Sequence, residues 1–211
     1  MKTIFTFFIS IFIITSCVAN PNNESSSSQE KKTRVSTNAV AYFASGCFWC
    51  VESVFESVKG VGDVVSGYSG GKKSTATYRM VSAGKTDHAE SVAVHYDSTK
   101  VDYPTLLKVF FGSQDPTTLN RQGPDRGTQY RSAIFYRNAT EKKLANEYIQ
   151  QLLENKTFSK ITTEVVPLKG FYKAEAYHQN YEEHHPNEPY IRSVSAPRLH
   201  RFQEKFPELL K

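Results

Sequence analysis

The chain is short of cysteine, of long apolar runs and of charge excess, and each shortage excludes something. It carries three cysteines in 211 residues, Cys17, Cys47 and Cys50. An odd number cannot pair completely within one chain, and Cys47 and Cys50 stand three apart, so the disulfide framework of a small secreted scaffold is excluded. No cysteine follows Cys50. Its longest apolar run, Ile4 to Ile14, is about half of the ~20 residues that a permanent membrane helix needs. A net charge of +5 is too mild to argue for nucleic acid without a local patch. No internal repeat recurs at a fixed period. What remains, with 39% apolar and 22% charged residues, is enough for one sizeable core.

The N-terminus reads as an address. Lys2 followed by the apolar run fits a signal peptide over residues 1–16. Directly after it, Ile14, Thr15, Ser16 and Cys17 resemble the bacterial lipobox, which implies lipidation at Cys17 and a catalytic body held at a membrane of the bacterial cell envelope, outside the cytoplasm. Ordinary cleavage near Ala19 is the competing reading. Residues 17–38 include Asn22, Asn23, four consecutive serines and three basic side chains, with almost nothing to bury, and read as a solvated tether. The folded domain is expected over residues 39–211.

Within it, AVAYFA at 39–44 reads as a buried strand ending at Ser45 and Gly46. Val51, Val54, Phe55 and Val58 follow at helical spacing up to Gly60. Strands are expected at 61–68, at 91–97 with Val92, Val94 and Tyr96 on one face, at 131–137 and at 162–168. Helices are expected behind Asp102 and Pro104, carrying Leu106, Leu107, Phe110 and Phe111, and at 140–155 with Leu144, Tyr148, Ile149, Leu152 and Leu153 inward. Helices interleaved with strands argue one α/β or α+β domain, a mixed sheet with helices packed on it. Four prolines in the last forty residues suggest mostly irregular chain.

The chemistry concentrates at Gly46-Cys47-Phe48-Trp49-Cys50, a strand-to-helix turn. A cysteine just ahead of a helix meets unpaired amides and the positive end of the macrodipole, which favour thiolate over thiol. Cys50, one turn inside, is placed to resolve an oxidised Cys47. A zinc half-site, two structural thiols and a thioredoxin-like pair share this pattern; the zinc reading lacks a second pair. Phe48 and Trp49 suit a pocket for a small apolar group beside the nucleophile, or the core.

GCFWC followed by Val51 and Glu52, then GYSGG at 67–71, Thr77-Tyr78-Arg79, His88-Ala89-Glu90, Asp115-Pro116-Thr117, QGPDRGTQYRSAI at 122–134, AEAYHQNY at 174–181 and Tyr190-Ile191 form an ordered set. That set resembles peptide methionine sulfoxide reductase type A. The resemblance implies a two-layer sandwich with a ferredoxin-like core and a long irregular C-terminal segment. It implies that Cys47 is the nucleophile on the sulfoxide sulfur, and that Glu90 is the proton donor, its pKa raised by an apolar pocket. Tyr78 and Tyr130 would hydrogen-bond the sulfoxide oxygen, Asp125 would support the site, and Phe48 and Trp49 would hold the substrate methyl group. The substrate would be the S epimer of methionine sulfoxide, in proteins or free. The product would be methionine with a sulfenic acid on Cys47. No bound cofactor or metal and a monomeric state are expected, with a thioredoxin-like protein as reductant. Many members resolve the sulfenic acid with cysteines near the C-terminus; their lack leaves Cys50 as the internal candidate. Asp87 stands where many members have glycine, either raising the pKa of Glu90 or pointing to solvent.

Overall fold

A computed structural model describes residues 39–211. The signal peptide expected over 1–16, lipidation at Cys17 and the tether over 17–38 lie outside the described residues. The first strand, β1 (Ala39–Ser45), runs into a turn at Gly46 with φ +85°, and α1 (Phe48–Glu56) starts at once. β2 (Val61–Ser69), α2 (Tyr78–Ser82), β3 (Ala89–Tyr96) and α3 (Tyr103–Gly112) follow. A small hairpin of β4 (Arg121–Gln122) and β5 (Asp125–Arg126) leads to β6 (Ser132–Tyr136), α4 (Ala139–Glu154), β7 (Glu164–Pro167) and β8 (Phe171–Lys173). The chain ends through α5 (Tyr181–His184) and α6 (Ala196–Lys205).

The main sheet has the order β7-β6-β1-β3-β2-β8. Its central four strands are mutually antiparallel, and with α1 and α3 as connections they make the expected ferredoxin-like βαββαβ core. β7 adds in parallel at one edge and β8 in antiparallel at the other, so the sheet is mixed as read from sequence.

Local chemistry explains the helices. The Asp102 carboxylate accepts from the Thr105 amide at 2.8 Å and Pro104 occupies the first turn of α3. Asn138 accepts from the Glu141 amide at 2.9 Å to start α4, and Glu141 reaches back to the Arg137 amide at 2.7 Å. Between sheet and helices, Phe43 stacks with Phe55 and with Phe110, each at 5.1 Å between centroids, beside Leu106, Leu107, Val92, Val94 and Ile134. Each buried aromatic or aliphatic side chain here contributes about 2–3 kcal/mol. A smaller cluster of Ala44, Ala89, Ala133 and Phe135 covers the opposite face.

The C-terminal segment corrects one expectation. Short turns do occupy much of 174–190, but a π-helical stretch, Ile191–Ser195, feeds directly into the ten residues of α6. Pro197 closely follows the π-helical stretch in a run that stays helical from 189 to 205, and the helix accommodates it at that irregular turn, so its presence did not signal irregular chain.

Candidate active site

The turn from β1 to α1 gathers both remaining cysteines. A Cβ at Gly46 would stand 2.6 Å from Gln122 Cβ, so glycine is required by space as well as by backbone conformation. Cys47 is the residue ahead of α1 and Cys50 lies inside its first turn; both are free thiols, 7% and 2% exposed.

For Cys47, burial outweighs the thiolate-favouring effect expected from the helix terminus. Burial pushes the Cys47 thiol well above its ordinary value, and the adjoining Cys50 and Glu90 push it further; only the Trp49 amide opposes this. Cys50 is pulled down to about 7, first by its contact with Cys47, then by the Arg198 guanidinium and the Ser195 and Tyr190 hydroxyls, against its own burial. Burial raises both thiols, and the contact between them acts in opposite directions on the two, raising Cys47 and lowering Cys50.

Glu90 lies on β3, on the strand face of Val92 and Val94, and is 2% exposed. Its Oε2 accepts from the Phe48 amide at 3.1 Å, one residue from Cys47. Burial lifts its pKa to about 8; the Phe48 amide opposes the shift, and Asp125 and Cys50 add to it. The carboxyl is therefore protonated at neutral pH. Asp87 is not among the groups that shift Glu90; its carbonyl accepts from Arg131 at 3.0 Å.

Aromatic rings wall this acid and thiol. Phe48 is fully buried, its ring 5.0 Å from His178, 5.9 Å from Tyr68 and 6.5 Å from Tyr78. Trp49 is half-buried, stacked on Tyr181 at 3.8 Å, and its Nε1 donates to His178 Nδ1 at 3.3 Å. That bond makes His178 Nδ1 an acceptor, so the ring is neutral, in line with the downward shift that burial gives it. The Tyr78 phenol is raised to about 12 by burial, with Glu90 and Cys47 acting after it. Tyr130 is raised by burial and by the same two neighbours. Two neutral phenols therefore face one neutral carboxyl and one thiol. Asp125, half-buried on β5, accepts from the Tyr190 hydroxyl at 2.6 Å, and burial raises its pKa. All eight site residues expected within the described chain converge here. Among the described residues no group of three or more His, Cys, Asp or Glu side chains could hold a metal ion.

A family model for peptide methionine sulfoxide reductase matches residues 39–210. The chain belongs to that family. It is 49% identical over 173 residues to peptide methionine sulfoxide reductase MsrA 2 of Synechocystis sp., covering 81% of each chain. With MsrA of Picrophilus torridus it shares 47% over 167 residues, 79% of this chain and 94% of the relative. The crystal structure of reduced Mxr1 from Saccharomyces cerevisiae superposes with a TM-score of 0.68 at 34% identity, covering 72% of this chain and 87% of that one.

The peptide methionine sulfoxide reductase site includes residues that sequence reasoning did not single out. Glu175 accepts from the Tyr68 hydroxyl at 2.8 Å and from the Tyr78 amide at 2.9 Å, so it ties the start of α2 to the sheet. Its signal was the AEAYHQNY segment, read only as part of the match. Tyr190 bonds Asp125 and lies 3.8 Å from Cys50 Sγ. Arg198 gave no signal, because a lone arginine in a segment read as irregular carries none.

Proposed function

We propose that this peptide methionine sulfoxide reductase works through Cys47, Glu90 and Cys50 as follows. The sulfoxide methyl group lies against Phe48 and Trp49, with its oxygen toward Tyr78, Tyr130 and Glu90. Cys47 Sγ bonds to the sulfoxide sulfur, its proton passing to the neighbouring Cys50 thiolate, while Glu90 protonates the oxygen as the S–O bond weakens. The hydroxyl ends on Cys47 as a sulfenic acid and methionine leaves as the thioether. Cys50 sulfur then displaces that hydroxyl as water, forming a Cys47–Cys50 disulfide. A thioredoxin-like dithiol takes the oxidising equivalents and returns both thiols. The electrons come from thiols throughout, so the residues require no bound cofactor.

One observation carries this reading: a protonated, buried carboxyl held on the amide next to Cys47. A thiol-disulfide oxidoreductase has no substrate oxygen to protonate there. The test is reduction of the two methionine sulfoxide epimers. The S epimer is turned over, Cys47→Ser abolishes the reaction and Glu90→Gln slows it by roughly 10²–10⁴-fold, the usual size of a general-acid contribution. Disulfide reductase activity untouched by Glu90→Gln, without sulfoxide turnover, refutes the assignment.

The location belongs to the same proposal. Residues 1–16 act as a signal peptide, lipidated Cys17 holds a monomeric enzyme at a membrane of the cell envelope, and 17–38 serve as the tether to the catalytic domain at 39–211. Its support is the short apolar run and the Ile14-Thr15-Ser16-Cys17 sequence. Mass spectrometry of the mature N-terminus tests it: an acylated Cys17 is expected, and a chain lacking Cys17 contradicts it.

A further inference from the structure

The two cysteines differ in what they line. Cys47 has Glu90, Tyr78 and Tyr130 among its electrostatic neighbours, whereas Cys50 lines a cavity of about 170 Å³ with Asp125, Val194, Arg198 and Arg201, to which Cys47 does not contribute. A neighbouring cavity of about 360 Å³ shares Gln122, Arg198 and Arg201 with it and adds Lys205 and Asp115. Arg198, Arg201 and Lys205 are three and four residues apart on α6, so they form one basic stripe leading to Cys50.

The stripe has a buried and an exposed end. Arg198 is 7% exposed and donates to Ser113 O at 2.7 Å, to Ser45 O at 2.8 Å and to Ser45 Oγ at 3.0 Å, all neutral acceptors. Arg201 and Lys205 are exposed, and none of the three cations forms an ion pair within 4.0 Å among the described residues. Three like charges on one helix face repel one another. A negatively charged surface relieves that repulsion.

We propose that this α6 groove is the docking site of the recycling dithiol protein, and that its thiolate attacks Cys50, not Cys47, through the cavity that Cys50 lines. The proposal rests on the Cys47–Cys50 disulfide described above. Exchange at a disulfide depends on which sulfur an attacking thiolate can reach, and Cys50 lines the cavity beside Arg198 and Arg201 while Cys47 does not. The new bond joins the partner's sulfur to Cys50; the broken bond releases Cys47, which takes a proton and becomes a thiol. The partner's second thiolate then attacks the partner's first sulfur, releasing Cys50 as a thiolate beside Arg198. The partner leaves oxidised by two electrons and the enzyme reduced by two. A partner whose active-site rim carries carboxylates meets the stripe.

The test uses the full enzyme, oxidised by one turnover, and a bacterial thioredoxin whose second active-site cysteine is replaced by serine, so that the mixed disulfide persists. Peptide mapping is expected to place thioredoxin on Cys50. In parallel, Arg201→Glu combined with Lys205→Glu is expected to raise the KM for intact thioredoxin about tenfold, a change of the size that reversed rim charges produce through encounter rates. The one-equivalent burst of sulfoxide reduction, which precedes the reductant, reports that the variant is folded. Thioredoxin on Cys47, or a KM unmoved by the charge reversal, overturns the docking proposal while leaving the disulfide in place. Oxidised enzyme with no Cys47–Cys50 disulfide defeats the recycling cycle and the docking proposal together.

Discussion

Replacing Glu90 with glutamine separates catalysis from stability, because the two respond in opposite directions. With a pKa of about 8 in the fold against an ordinary 4.5, the group is protonated in the native protein at pH 7 and ionised when unfolded. A carboxyl whose pKa folding raises keeps its full stability below the unfolded value and loses it as pH climbs through the folded one. Between about 4.5 and 7 that loss reaches about 3 kcal/mol, from 1.36 kcal/mol per pH unit. Glutamine keeps an oxygen for the Phe48 amide and does not titrate. Glu90→Gln should therefore unfold in urea with about 3 kcal/mol more stability than the wild type at pH 7 and with none near pH 4. Activity runs the other way. About nine-tenths of Glu90 is protonated at pH 7 and about a tenth at pH 9, so the ratio of wild-type to Glu90→Gln single-turnover rates falls about tenfold between them. Taking the ratio cancels thiol titration common to both proteins. A variant less stable than the wild type at pH 7, or a rate ratio flat across pH, refutes the protonated-carboxyl account.

Three further substitutions probe the surroundings. Arg198→Met removes the cation beside Cys50, so the midpoint of its ultraviolet thiolate absorbance moves upward, and the fold loses about 1–3 kcal/mol as Ser45 O and Ser113 O lose a donor. Gly71→Ala places a Cβ 2.5 Å from the buried His88 ring, and a lowered Tm corresponding to more than about 2 kcal/mol is expected. Phe48→Ala empties a fully buried site and should cost about 3–5 kcal/mol in chemical denaturation, together with a sharp drop in kcat/KM for the sulfoxide.

How far these features were legible varied with how local their causes are. Most strands and helices from Ala39 to Pro167 were readable because each carries its own signal: the alternation of Val92, Val94 and Tyr96, the Asp102 cap, the apolar stripe of α1; the five residues of α2 and the two-residue strands β4 and β5 are too short to show a period. α6 was hidden by a proline count that ignored where in a helix proline is tolerated. At the site, Cys47, Phe48 and Glu90 were found through the ordered motifs. The direction in which each thiol is shifted was not, since burial and the approach of Arg198 arise from packing α6, about 150 residues later, against the end of β1. The same holds for the carboxylate that raises Glu90: Asp87 is its neighbour in sequence, but Asp125 is its neighbour in space.

The central claim is that Cys47 reduces the sulfoxide and Cys50 alone resolves the product. Mass analysis after exposure of the full chain to methionine-S-sulfoxide without reductant tests it most directly, in wild type and in Cys50→Ser. One methionine per enzyme is expected in both, with a Cys47–Cys50 disulfide in the wild type and a sulfenic acid confined to Cys47 in the variant. A sulfenic acid that persists in the wild type, or thioredoxin-dependent cycling that Cys50→Ser leaves unchanged, would contradict the account.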